Sequence, residues 1–149
     1  MRKFFFIIVH FFILSGCGFK IIELNNFQNF FISKVETTGD KRINYIIRNN
    51  LLSTKQDNTK KAVELKIDTK KSKSIKEKNI ENETTKYEIK IFINLKFSKP
   101  SEIDDIVIIK RGEFLVKENH SQTLMSEKKL IDRLSNEISE EIVLYISKI

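Results

Sequence analysis

"KYEIKIFINLKF", residues 86–97, decides the fold. Tyr87, Ile89, Ile91, Ile93, Leu95 and Phe97 alternate without a miss against Lys86, Glu88, Lys90, Asn94 and Lys96. A period of two means one face on a core and the other in water, the habit of antiparallel sheets. Phe92 breaks the polar face. It marks either a second covered face or an ordinary lone exposed hydrophobe.

Working outward, "AVELKIDT", residues 62–69, places Val63, Leu65 and Ile67 on one face of another strand. The stretch from Lys70 to Thr84 reads as a charged connection. "SKPSEIDD", 98–105, reads as a turn, and Ile106 to Glu118 as a further strand with a bulge or bend near Gly112. Upstream, "FFISKVET", 30–37, is short and β-prone and is ended by Gly39-Asp40. Asp40 is placed to cap a helix carrying Ile43, Ile46, Ile47 and Leu51. Ile131, Leu134, Ile138, Ile142, Tyr145 and Ile149 step by three and four, which predicts a closing helix capped by Ser126. Glu127 and Lys148 then suit the two ends of its dipole. The expected fold is α+β: two amphipathic helices packed on one face of a four-stranded, mostly antiparallel sheet, in the order β-α-β-β-β-α. Residues 30–149 form one domain in this reading.

The first sixteen residues read differently. Arg2 and Lys3 precede an apolar stretch from Phe4 to Leu14 that only His10 interrupts, and Ser15 and Gly16 are small. That order is a secretory signal peptide, too short for a membrane span of ~20 residues. Leu14-Ser15-Gly16-Cys17 resembles a bacterial lipobox. The resemblance implies cleavage before Cys17, a diacylglycerol on its thiol and acylation of the new amine. Cys17 is the chain's one cysteine, so an intrachain disulfide has no second thiol. Two or three acyl chains, at ~0.8 kcal/mol per buried methylene, hold a domain at a bilayer essentially permanently. Residues 17–29 then serve as lipidated cysteine and tether, and Gly18 in place of Asp leans towards the outer membrane.

The formal charge of +7 falls to +5 once Arg2 and Lys3 leave with the leader. A basic surface suits acidic partners. The abundance of Lys, Asn, Ile and Phe is also what AT-rich codons produce, so local clusters carry more weight than the total. Two stand out. "KKSKSIKEK", 70–78, holds Lys70, Lys71, Lys73 and Lys76, and Lys110-Arg111 adjoins Gly112. Each is a phosphate-contact candidate, Arg111 by bidentate geometry, and each is equally an ordinary solvated surface.

Catalytic chemistry finds little support. After cleavage His120 is the remaining histidine, and Cys17 is consumed by lipid. A His/Cys metal site is therefore unavailable, a Ser-His-Asp set would have to use His120 with nothing pointing to a matched serine, and no Gly-rich phosphate loop is present. No cofactor is expected, and export argues against nucleic acid.

The lipobox, the triplet Cys17-Gly18-Phe19 and the order of elements together resemble the LPS-assembly lipoprotein family, LptE. Members often continue after the Phe with Pro and a Leu-Tyr-Gly or Leu-Arg-Gly stretch, where this chain has Lys20-Ile21-Ile22-Glu23. The resemblance implies a lipid-anchored protein on the periplasmic face of the outer membrane. Its partners would be an LptD-like outer-membrane β-barrel, which it plugs and helps to assemble, and lipopolysaccharide, which it contacts in transit. The alternative from another class is a lipid-anchored periplasmic adaptor for a different envelope complex.

Overall fold

The alternating segment is the third strand of a four-stranded sheet. The structure is a computed structural model and describes residues 30–53, 61–99 and 102–148. The signal peptide, Cys17 and the tether lie outside the described residues. The elements are β1 (Phe30–Gly39), α1 (Lys41–Leu52), β2 (Lys61–Lys78), β3 (Thr84–Lys99), β4 (Glu102–Leu115) and α2 (His120–Ser147). The spatial order is β1-β2-β3-β4. β1 and β2 are parallel, joined through α1, and the two remaining pairings are antiparallel. The α+β architecture and the β-α-β-β-β-α order are those expected from the periodicities.

Both helices cover one face. Ile43, Ile47 and Leu51 of α1 and Leu134, Ile138 and Ile142 of α2 are buried against Leu65, Ile67, Ile91, Ile93 and Leu95. β1 keeps Ile32 and Val35 on the same face although they are three apart, because the register shifts between Ile32 and Lys34. The helices run in the same direction. Arg42 pairs with Asp132 at one end, and Asn50 donates to Asn136 Oδ1 (2.9 Å) and Ser139 Oγ (3.2 Å) at the other. Ser135 and Ser139 are buried on α2 and donate to the carbonyls of Ile131 and Ser135 one turn back, so each hydroxyl is satisfied inside the helix.

Several boundaries differ from expectation. β2 does not stop at Thr69. It runs on through Lys78, in unbroken register with β3 from Lys70↔Phe92 to Ile75↔Tyr87 and then through two register shifts to Lys78↔Thr84. A polar, lysine-rich stretch has weak strand propensity of its own, but an apolar partner strand supplies the ladder. The turn at 98–105 shrinks as well, since β3 reaches Lys99 and β4 begins at Glu102. Gly112 interrupts nothing and stays in register opposite Ile89. Its missing Cβ makes room for Leu130, whose Cδ1 would lie 2.6 Å away. α2 begins at His120, where Asn119 accepts from the Ser121 N–H (2.8 Å), while Ser126 donates to the Gln122 carbonyl within the helix. Val143 and Ile146 continue the buried stripe. Tyr145 is 41% exposed and meets Phe97 edge-on. Ile149 lies outside the described residues.

Asp40 caps α1 as expected. Its carboxylate accepts from the N–H groups of Arg42 and Ile43, both at 3.1 Å, and pairs with Lys71 Nζ at 3.1 Å. Partial burial favours its neutral form. The hydrogen bonds from Ile43 and Lys71, the Lys71 charge and the Arg42 N–H outweigh that, and the carboxyl is held below its usual range. Asp40→Ala is expected to cost about 1 kcal/mol of stability in denaturant unfolding. Because the folded pKa is lowered, the ionised-state part of this contribution is present above the ordinary value of 3.8 and fades as pH falls through the folded one. The stability gap between wild type and Asp40→Asn should therefore hold from neutral pH to about pH 5 and narrow as the pH falls below 3.8.

Candidate functional site

The alternation that buries one face of the sheet leaves the other uncovered by either helix. Its side chains form rows across the strands. One row reads Glu36, Lys66, Lys96 and Asp105, and the next Thr38, Asp68, Asn94 and Val107. Then come Lys70, Phe92 and Ile109, followed by Ser72, Lys90 and Arg111, and by Ser74, Glu88 and Glu113.

The outer rows neutralise themselves. Lys66 and Lys34 both meet Glu36, and Lys96 meets Asp105 at 3.4 Å. At the other end Lys76 lies 3.8 Å from Glu88 and 3.5 Å from Glu113, and Lys86 reaches Glu77 at 2.9 Å and Glu113 at 3.8 Å. The hydrogen bond and charge of Glu77, helped by Glu113, raise the Lys86 pKa.

The middle rows are different. Lys70, Lys90 and Arg111 have no carboxylate partner among the described residues. They surround Phe92, Val107 (60% exposed) and Ile109 (48% exposed). Lys90 Nζ lies 5.8 Å from the Phe92 ring centroid, within cation–π range. The result is a small apolar patch with three cations free to meet an anion. Exposed apolar area rimmed by charge is a common mark of an interaction surface.

The six candidate cations of the sequence thus separate. Lys70 and Arg111 belong to the open face. Lys71 braces the Asp40 cap. Lys73 points to the helix side, 2.6 Å from Glu127 and 4.4 Å from the Tyr87 centroid, closing the end of the core. Lys76 is bound into the flanking ion-pair row. Lys110 faces opposite to its neighbour Arg111 and pairs with Glu141 of α2 at 2.6 Å. Adjacent strand residues point to opposite faces, so the two form no single basic site. Neither do the lysines of 70–78 form a loop cluster, because the strand divides them between faces.

Lys90, Val107 and Ile109 completed the patch without being candidates. A signal existed for the last two. Ile106-Val107-Ile108-Ile109 is apolar on consecutive positions and must expose one pair in a sheet covered on one side. Lys90 carried none, since lysine on a polar face is ordinary.

Among the described residues no three His, Cys, Asp or Glu side chains come together as metal ligands. No described helix is long and apolar enough to cross a membrane. Between the helices, Arg42, Tyr45, Ile46, Lys128, Asp132 and Asn136 line a shallow groove of about 460 Å³. Two of its lining residues, Arg42 and Asp132, are already paired to each other (2.8 and 3.1 Å).

No known family profile matches the sequence, and no curated protein is recognisably similar to it. Solved structures do share the fold. Rare lipoprotein B from Shewanella oneidensis superposes with a TM-score of 0.61 at 13% identity, covering 77% of this chain and 94% of that one. A putative lipoprotein from Caulobacter crescentus gives 0.54 at 14% identity, over 76% and 88%. Lipoprotein B from Nitrosomonas europaea gives 0.53 at 10% identity, over 88% and 91%. At such identities the likeness is one of fold, and the fold is one that bacterial lipoproteins use.

Proposed function

We propose that this chain is an outer-membrane lipoprotein of the LptE type, anchored through Cys17. In this reading it plugs an LptD-like β-barrel, assists the barrel's assembly and contacts lipopolysaccharide on its way to the surface. The observation that carries the reading is the open sheet face. Lipopolysaccharide presents phosphates beside acyl chains, and Lys70, Lys90 and Arg111 around Phe92, Val107 and Ile109 offer cations beside an apolar patch. An ammonium meets phosphate as a point charge, and a guanidinium meets it with a planar fork. Lys71, Lys73, Lys76 and Lys110 serve the fold rather than the ligand. The lipobox resemblance and the fold shared with bacterial lipoproteins support the anchor.

A detergent pull-down of the full-length lipoprotein from its native envelope, read by mass spectrometry, tests the partner. A large outer-membrane β-barrel at near one-to-one is the expected result. Recovery without any barrel, under conditions that keep known barrel complexes intact, overturns the plug and leaves an adaptor for another envelope complex.

A further inference from the structure

The sheet has two edges, and they are not alike. β1 is disrupted by the register shift after Ile32, which blunts an edge against pairing. β4 keeps unbroken register with β3 from Glu102 to Leu115 and has no neighbour on its other side among the described residues. The Val116 N–H donates to the Thr85 carbonyl (2.9 Å), which sets the phase of the β3–β4 ladder. Hydrogen-bonded and non-hydrogen-bonded pairs alternate in an antiparallel ladder, so Asp105, Val107, Ile109 and Arg111 turn their own backbone groups away from β3. Their side chains all lie on the open face and are exposed.

We propose that the β4 edge pairs with the β4 edge of a second copy of this chain, antiparallel about a two-fold axis at Ile108, making one continuous eight-stranded sheet. Charge complementarity selects this occupant. The edge is acidic at one end and basic at the other, so reversing it against itself sets unlike charges opposite each other. With Ile108 on the axis, Asp105 of each copy faces Arg111 of the other, and Val107 faces Ile109. All four positions have outward backbone groups and the same face, as the ladder requires. An isologous contact of this kind makes each pair twice. Arg111, without a carboxylate partner among the described residues, gains one. Asp105 exchanges an exposed contact with Lys96 for a guanidinium. The pairing extends the sheet by main-chain hydrogen bonds, the usual mode of strand addition.

The inference goes beyond the plug reading, concerns copies of the chain outside the barrel, where Arg111 meets a carboxylate in place of a phosphate, and is tested separately. The full-length lipoprotein in density-matched detergent is examined by sedimentation equilibrium, as wild type, Asp105→Arg and Arg111→Asp. Wild type is expected at twice the single-chain mass. Each single variant places like charges opposite each other at both pairs and is expected at the single-chain mass. Mixing the two variants sets unlike charges at both pairs again and is expected to restore the doubled mass, which misfolding cannot do. Asp105→Arg leaves Lys70, Lys90 and Arg111 in place, so its loss of mass is not a loss of the cation patch. A wild type at single-chain mass throughout overturns the proposal, as does a dimer indifferent to the charge reversals. A photocrosslinker at Val107 that captures only a different protein in the native envelope overturns the choice of occupant.

Discussion

Gly39→Ala is expected to destabilise the domain by about 2–5 kcal/mol, one of the largest effects of any single methyl group in this chain. Gly39 has φ +92°, where a side chain clashes with its own backbone. The clash is not only local. A Cβ at this position would lie 1.9 Å from the carbonyl oxygen of Thr69 on β2. That oxygen accepts from the Asp40 N–H at 3.2 Å, so it is held where the new methyl must go. Relief requires the end of β1 to part from β2 and carries with it the cap of α1. Beneath that cap Thr69 donates to Asn44 Oδ1 (2.6 Å), and Asn44 donates to the Thr38 carbonyl (2.8 Å). These buried polar groups lose their partners if the strands separate, which adds to the cost. Gly112→Ala is the control. Its nearest obstacle is the tip of the Leu130 side chain, which rotates away, and about 1 kcal/mol is expected. Chemical denaturation of both variants checks the contrast. Equal, small losses would show that the close approach of β1 to Thr69 has been misread.

Reversing the three cations of the open face together, Lys70→Glu, Lys90→Glu and Arg111→Glu, is expected to weaken lipopolysaccharide binding at least ~10-fold. Each exposed charge contact contributes roughly 0.5 kcal/mol, and about 1.4 kcal/mol is a factor of ten. Sign reversal adds repulsion to the loss. Binding of wild type should weaken with added salt, because these groups are solvent-accessible, and the variant's residual binding should respond less. Stability should change little, since none of the three holds an ion pair within the described residues. Lys73→Ala is the opposite case. Its ammonium sits between Glu127 and the stacked rings of Tyr87 and Phe114, so it should lower the thermal midpoint and leave affinity unchanged. Calorimetric titration with lipopolysaccharide, beside thermal unfolding, separates the two. An unchanged affinity in the triple variant removes the open face from the lipid's path.

The alternation of residues 86–97 was enough to place a half-buried strand, and the spacing of Ile43, Ile47 and Leu51 or of Leu134, Ile138 and Ile142 enough to place two amphipathic helices. Those are local patterns, carried by each segment without reference to its neighbours, and they yield the order and the layers. The Asp40 cap was equally local. What pairing decides was not legible. Residues 70–78 are polar and lack the pattern of a strand, yet β3 draws them into one, because a ladder rewards a stretch that its own propensity would leave free. The helix start at His120 was missed for a related reason: Asn119 is an adequate cap only where the chain leaves β4 at that point. The division of the cations follows from register. Lys110 and Arg111 are neighbours in sequence but lie on opposite faces, whereas Lys70, Lys90 and Arg111 are far apart in sequence and close on one face. Only the tertiary structure brings them together, because strand pairing joins segments that no window of sequence contains.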